Sequence, residues 1–230
     1  MNEASAAYKE CRERIGGIAT NLGPDDLNLT VPACPEWTVA DLIAHLVGIA
    51  EDFGAGNFEK AGSDAWTKAQ IARHSKLAMP ALIDEWEAIS RQLDPTLDKV
   101  RPGAAAMLIG DAVTHEHDLR GALNLPGARD TDAIWIALER YVRRFGKRIK
   151  DAGLPSVVVR CEGREWQAGV LEPSVELEAE RFELLRALTG RRTVQEIASL
   201  AWAGDPKPYI ELVSSYPVAR RSLKESRGRS

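Results

Sequence analysis

The segment GDAVTHEHDLRGAL, residues 110–123, places two histidines and three acidic residues among mostly apolar ones. The chain has four histidines in all, so two of them within three positions need an explanation. On a helix, which turns about 100° per residue, Asp111, His115 and Asp118 fall on one face within about 60°. His117 points about 200° away from His115, so the two rings cannot share a ligand position. Side chains at i and i+4 can bind one metal ion from adjacent turns, and Asp111 and His115 are therefore candidate metal ligands.

A third candidate ligand, His45, lies in the segment TVADLIAHLVGIA. It shares a helix face with Leu42 and Ile49, where an amphipathic helix normally buries leucine. A buried histidine needs partners for both ring nitrogens. Two histidines and one carboxylate suit a divalent ion such as zinc and leave one coordination position open. The residues alone also allow two simpler alternatives, a core histidine bonded to a carbonyl and an Asp111–His115 helical ion pair.

The other polar residues of the segment receive different predictions. Glu116, His117 and Arg120 are expected to form a solvated or interdomain face. Asp118 lies on the ligand face, where it can orient His115 or take part in an i,i+3 salt bridge.

Composition excludes several classes of protein. With 44% hydrophobic residues in 230, the chain can bury a sizeable core. A net charge near −4 provides no global basic field for nucleic acid. No run approaches the roughly 18 apolar residues that span a bilayer, and the N-terminus lacks a signal peptide's apolar region. The widely spaced Cys11, Cys34 and Cys161 argue against a disulfide framework, so packing cysteines and a cytoplasmic location are predicted.

The elements that position these residues change character near residue 152. Before it, apolar residues recur at helical spacing, and Thr38 with Asp41 has the pattern of a capping box. After it, SVVVRCE, EWQAG and SVELEAE read as short strands, and RFELLRALTG and TVQEIASLAW as helices. The pattern predicts an α+β chain with a helical bundle, a small α+β domain and a disordered basic tail. Their predicted bounds are 1–151, 152–218 and 219–230.

Three segments together resemble the mycothiol-dependent maleylpyruvate isomerase family. They are CPEWTVADLIAHLVG, GDAVTHEHDLRGAL and ELLRALTGRRTVQEIASLAWAGDPKPYIELVSSYP, in the order that the family has them. The resemblance implies an N-terminal DinB-like four-helix bundle and a C-terminal domain similar to sterol-carrier domains. It also implies that His45, Asp111 and His115 are the metal ligands, with mycothiol as the thiol cosubstrate.

The same resemblance implies a chemistry. A divalent ion, with zinc the first candidate, would activate the thiol for addition to an electrophilic small molecule. Reversal of the addition after bond rotation would make the protein an isomerase, and retention of the adduct an S-transferase. Arg191 and Arg192, in TGRRT, are candidates to bind an anionic substrate or cosubstrate, or else lie at a helix C-terminus that attracts cations.

One position departs from the family. Members with isomerase activity typically carry glutamate where this chain has Asp111, and aspartate is shorter by one bond, about 1.5 Å. The helices must then approach more closely, or the carboxylate must ligate through one oxygen, and a weaker, reshaped or lost site is expected. Two other functions therefore stay open, a DinB-like metal-dependent hydrolase and a non-catalytic two-domain binding protein.

Overall fold

The computed structural model describes residues 3–97 and 99–226 of the chain. It has the mixed helix-and-sheet α+β fold in two units that the sequence predicts. The second compact unit runs over Ala128–Lys224, and the first comprises the residues up to Gly127 together with those from Glu225 onward. Among the described residues, no helix is both long and apolar enough to cross a membrane.

Four long helices form the core of the first unit. They are α1 (Glu3–Ala19), α3 (Val39–Ala55), α5 (Met79–Leu97) and α6 (Pro102–Ala122). Helices α1 and α3 each pack against both α5 and α6, which closes a four-helix bundle. Ile15, Leu42 and Ile109 are fully buried in it, as their helical spacing predicts.

Short elements complete the first unit. Helix α2 (Pro24–Leu27) precedes an antiparallel pair of strands, β1 (Thr30–Val31) and β2 (Cys34–Thr38). Strand β2 leads directly into α3 through the predicted capping box. The Thr38 hydroxyl accepts from the Asp41 N–H, and the Asp41 carboxylate accepts from the Thr38 N–H. The junction therefore fixes the strand relative to the start of α3.

Helix α4 (Asp64–His74) packs against α3 through a narrow stripe. Trp66, Gln70 and His74, spaced four residues apart, are its buried residues. The two helices approach most closely at Gly48 of α3, where an added Cβ would lie 2.6 Å from the Cβ of Gln70. A glycine at this position therefore allows Gln70 to reach into the bundle.

The second unit is built on a four-stranded sheet. Its strands lie in the order β4-β3-β5-β6, with β3 and β5 parallel and the two outer pairs antiparallel. The strands are β3 (Ser156–Cys161), β4 (Arg164–Ala168), β5 (Pro173–Glu178) and β6 (Ala201–Ala203). The helices are α7 (Asp132–Asp151), α8 (Arg181–Leu188), α9 (Val194–Ala198) and α10 (Ile210–Val213).

Helix α7 packs on β3, β4, α8 and α10 within the second unit. The sequence places this helix in the N-terminal domain, with a boundary at residue 151, whereas the two units divide after Gly127. An amphipathic pattern shows that one face of a helix is buried, but it does not show which element covers that face.

The start of the predicted disordered tail contacts the second unit. Residues 219–226 form no helix or strand. The Ala219 N–H donates to the carbonyl of Arg192, and the Ser222 side chain hydrogen-bonds with Glu196. The rest of that prediction, over 227–230, lies outside the described residues.

The expectation of a solvated or interdomain face at Glu116, His117 and Arg120 is wrong. Glu116 is fully buried and His117 nearly so, because α6 lies between α1 and α3 and buries both of its sides. The Glu116 carboxylate pairs with Arg14 at 2.8 Å and Arg120 at 2.9 Å, and it accepts from the Cys11 thiol. Helical phase separates the two sides of α6 but does not show that both are covered.

These contacts set the pKa of Glu116. Burial by itself would raise the pKa of this carboxyl, but the hydrogen bonds and charges of Arg14 and Arg120 outweigh burial and hold it below its usual value. Burial and the neighbouring Glu116 charge raise the pKa of the Cys11 thiol well above its usual value. The cluster is therefore an ionised carboxylate neutralised by two arginines and bonded to a protonated thiol.

We predict that Gly48→Ala destabilises the first unit. The added Cβ would lie 3.0 Å from the Cα of Gln70, so α4 would have to move away from α3. Overpacking of this kind costs about 1–3 kcal/mol, which chemical denaturation would show as a lower free energy of unfolding. Gly54→Ala, on the same helix with nothing within 4 Å of its added Cβ, is the matched control and should not destabilise. Equal stability of the two variants would contradict the tight contact.

We also predict that Glu116→Gln lowers the free energy of unfolding at pH 7 by about 3 kcal/mol, because it leaves two arginines facing a neutral amide. A carboxyl whose pKa is lowered by folding stabilises the protein above its unfolded pKa, about 4.3. The difference from the wild type should therefore be constant near neutral pH and shrink as the pH falls below that value.

The matched control is Glu13→Gln, which removes an exposed carboxylate that pairs with Lys9. It should change the free energy of unfolding by less than about 1 kcal/mol. A stability gap for Glu116→Gln that persists unchanged into acid would contradict the assignment of an ionised, arginine-paired carboxylate.

Candidate metal centre

The three predicted ligands lie together inside the first unit. Their ligating atoms, from His45 on α3 and from Asp111 and His115 on α6, are all within 4.8 Å of one another. Nε2 of His45 is 3.3 Å from Oδ2 of Asp111, and Nε2 of His115 is 3.7 Å from Oδ1 of the same carboxylate. The separation of about 5 Å or less that a shared ion requires is thus present.

These distances are close to those around a tetrahedral ion, and each is measured to a different oxygen of Asp111. Nitrogen and oxygen ligands at 2.0–2.2 Å from such an ion are about 3.4 Å apart. The two nitrogen–oxygen distances, 3.3 and 3.7 Å, lie close to that value. The side chain of Asp111, although shorter than glutamate, therefore reaches both histidines with a different oxygen facing each ring.

The outer nitrogen of His45 is held by a chain of buried polar side chains. Oε1 of Gln70 lies 2.9 Å from Nδ1 of His45, while Nε2 of Gln70 donates to Oδ2 of Asp52 at 2.7 Å. Since a carboxylate oxygen can only accept, Gln70 must present its amide oxygen to the ring, and Nδ1 carries the proton. Nε2 of His45 then has a lone pair directed at Asp111.

Asp52 is anchored in its turn by two donors. Nη2 of Arg73 and Nδ2 of Asn57 each donate to its Oδ1 at 2.9 Å. Arg73 also donates to the carboxylate of Glu51 and to the carbonyl of Gly48. The carboxylate at the far end of the chain is therefore fixed, and the orientation of the Gln70 amide is fixed with it.

His115 is oriented by a carboxylate on its own helix. Nδ1 of His115 lies 3.0 Å from Oδ2 of Asp118, which is buried. Because the carboxylate accepts from Nδ1, Nε2 is left with the lone pair and faces Asp111. This single contact is both the i,i+3 pair predicted for Asp118 and the contact that orients His115. Carboxylate–histidine pairs of this kind orient metal-ligating imidazoles in proteins.

The donor set therefore suits a cation. Ring nitrogens of two imidazoles and a carboxylate lie within 4.8 Å of one another, and with both rings neutral these electron-rich atoms repel one another unless a positive ion lies between them. Two nitrogens and one or two oxygens match the ligands that zinc and similar divalent ions take. The side chain of Asp111 is 22% exposed, while its Oδ2 atom, which faces His45, is buried.

Sequence reasoning missed three of the residues that build this site. Trp37 of β2 packs against both histidine rings, with ring centroids 5.0 Å from His45 and 5.5 Å from His115. Gln70 and Asp52 form the series of hydrogen-bonded side chains that ends at Nδ1 of His45. A tryptophan and two polar residues in ordinary helical or strand positions carry no signal of their own, and only the fold brings them together.

The two predicted anion-binding arginines lie in the second unit. Nε and Nη2 of Arg192 donate to the two carboxylate oxygens of Glu183, at 2.8 and 3.0 Å. Nη1 of Arg191 donates to the carbonyl of Thr189, the C-cap residue that follows α8. These contacts match the helix-terminus alternative for Arg191, and binding of an anionic ligand by either arginine stays a prediction.

Comparison with known proteins identifies the family. Residues 8–124, just over half of the chain, match the family described as the mycothiol maleylpyruvate isomerase N-terminal domain. No curated protein sequence matches the chain.

Two solved structures share the fold. One is the crystal structure of the mycothiol-dependent maleylpyruvate isomerase, with a TM-score of 0.56, 15% sequence identity, and coverage of 82% of this chain and 88% of that one. The other is a histidine-to-alanine mutant of the mycothiol-dependent maleylpyruvate isomerase, with a TM-score of 0.54, 14% identity and the same coverage, 82% and 88%. At these identities the structural likeness shows the fold alone, and the sequence match shows the family. The chain belongs to the mycothiol maleylpyruvate isomerase family.

Proposed function

We propose that His45, Asp111 and His115 bind a divalent metal ion, zinc being the first candidate, and that the protein is a thiol-dependent metalloenzyme. The observation that carries the proposal is the convergence of the ligating atoms of two imidazole rings and one carboxylate within 4.8 Å. The expected cosubstrate is mycothiol, since the matched family and the solved protein with the same fold are both named for it. A cytoplasmic location, predicted from the sequence, stays a prediction.

A divalent ion with an open coordination position would lower the pKa of a bound thiol and so supply a thiolate at neutral pH. Three protein ligands around a tetrahedral ion leave such a position. Side chains around the candidate ligands hold the imidazole protons in place. The Nδ1 protons of His45 and His115 are donated to Gln70 and Asp118, which keeps both Nε2 atoms available as ligands.

The neighbouring residues keep the ligands rigid. Trp37 packs against both imidazole rings in tilted contacts and limits their rotation. Asp52, fixed by Arg73, prevents the Gln70 amide from turning its NH2 group towards His45. Such preorganisation reduces the reorganisation required when a substrate reacts.

The reaction that we propose is addition of the thiol sulfur to an electrophilic carbon of a small molecule, for example an activated alkene. The sulfur–carbon bond forms as the carbon–carbon π bond opens, and a single bond that can rotate remains. Expulsion of the thiol after rotation gives isomerisation, and protonation of the adduct carbon gives S-transfer. The structure of the first unit is compatible with either outcome, so both belong to the proposal.

We predict that protein purified without a histidine tag contains one divalent ion per chain, and that the zinc-loaded form consumes mycothiol in the presence of an activated alkene. Asp111→Ala should lose both the metal and the activity, because two histidines alone hold the ion poorly. Asp111→Glu should retain the metal. The measurements are metal content by elemental analysis and thiol consumption over a panel of electrophiles.

A matched pair of histidine variants on α6 provides the control. His115→Ala should abolish metal binding, whereas His117→Ala, which alters a buried residue outside the ligand group, should retain it. Equal loss of metal from both would contradict the assignment of the ligands. Tight metal binding without thiol consumption would contradict the thiol-dependent reaction and favour a hydrolase or a binding protein.

A further inference from the structure

A second group of ligating atoms lies beside the first, and the proposed reaction makes no use of it. Sγ of Cys34, a ring nitrogen of His115 and a carboxylate oxygen of Asp118 lie within 4.8 Å of one another. Oδ2 of Asp118 is 3.8 Å from Sγ of Cys34 and 3.0 Å from Nδ1 of His115. Strand β2 supplies the cysteine and α6 the other two residues, so the group bridges two elements of the first unit.

The distances of this group are also close to those around a tetrahedral ion. With zinc–sulfur bonds near 2.3 Å and zinc–nitrogen or zinc–oxygen bonds near 2.1 Å, the sulfur–oxygen distance is about 3.6 Å and the nitrogen–oxygen distance about 3.4 Å. The observed 3.8 and 3.0 Å differ from these values by a few tenths of an ångström. A small movement of the three side chains would place one ion between them.

We infer that Cys34, His115 and Asp118 form a second metal site, selective for thiophilic divalent ions, that competes with the first site for His115. Thiolate ligands favour soft ions such as cadmium, whereas the first group offers only nitrogen and oxygen. Cys34 is half-buried, whereas Cys11 and Cys161 are buried.

Competition follows from the chemistry of one imidazole ring. A neutral imidazole has one N–H group and one lone pair. The first site uses the lone pair on Nε2 of His115, and the second requires a lone pair on Nδ1. When an ion binds the second site, the ring proton moves from Nδ1 to Nε2, where it can be donated to Oδ1 of Asp111, 3.7 Å away. The Cys34 thiol releases its proton to solvent, so one proton leaves for each ion bound.

The other two cysteines are not expected to contribute to a metal–thiolate signal. Burial raises the pKa of Cys161 to about 12, and Cys11 donates to the buried Glu116. Neither belongs to a group of candidate ligands among the residues that the structure describes. A metal–thiolate signal at neutral pH is therefore expected from Cys34.

The first test is a titration of the metal-free full-length chain with cadmium. Its readout is the ultraviolet absorption of sulfur-to-cadmium charge transfer. The wild type should show this absorption, with a plateau at one cadmium ion per chain. Cys34→Ser should abolish the absorption, Asp118→Asn should weaken cadmium binding at least tenfold, and Cys161→Ala should change neither. Absorption that survives Cys34→Ser would overturn the proposal. Circular dichroism of each variant verifies that the helices are retained.

The second test distinguishes a failure of the second site from a failure of the proposed function. Only the competition between the two sites rests on the proposed function. His45→Ala removes a ligand of the first group and none of the second, so it should keep the cadmium absorption even if the first site binds no metal. In zinc-loaded wild type, cadmium should release zinc one for one as the thiolate absorption grows. Loss of the absorption in His45→Ala would overturn an independent second site, and one bound zinc beside one thiolate-bound cadmium would overturn the competition.

Discussion

The carboxylate of Asp111 lies between the Nε2 atoms of His45 and His115, with one oxygen facing each ring. Three electron-rich groups in that position repel one another, and their arrangement is stable only if a cation or the surrounding fold holds them together. Much of the first unit is arranged around this constraint. Helices α3 and α6 bring the groups together, and separate hydrogen-bond chains lock the two rings from behind.

The hydrogen bonds from Asp52 through Gln70 to His45 depend on a glycine in the backbone of α3. Because Gly48 has no side chain, α4 approaches α3 closely enough for Gln70 to reach His45. Gln70 can present its oxygen to the ring only because Asp52 accepts its NH2 group. A missing side chain on α3 thus determines which nitrogen of His45 carries the proton. The α3–α4 contact therefore orients a candidate ligand as well as stabilising the fold.

Helical phase allowed a large part of this site to be predicted. It placed Asp111, His115 and Asp118 on one face and His117 on another, and the polar His45 stood out among apolar neighbours. Family resemblance, carried by the segments around these residues, led to the same three candidate ligands. Phase reports only which residues share a face, so it could not show that Glu116 is buried between two arginines or that α7 packs on the sheet. Trp37 and Gln70 reach the site from other elements, and only tertiary structure reveals them.

The most direct test of the account is X-ray absorption spectroscopy at the zinc edge, on protein loaded with one zinc ion per chain and free of thiol. The account predicts scattering from nitrogen and oxygen ligands at about 2.0–2.2 Å, with the outer-shell pattern of two imidazole rings and no sulfur. Asp111→Ala should lose this coordination. A sulfur ligand at about 2.3 Å, or a single imidazole, would contradict the claim that His45, Asp111 and His115 together hold the ion.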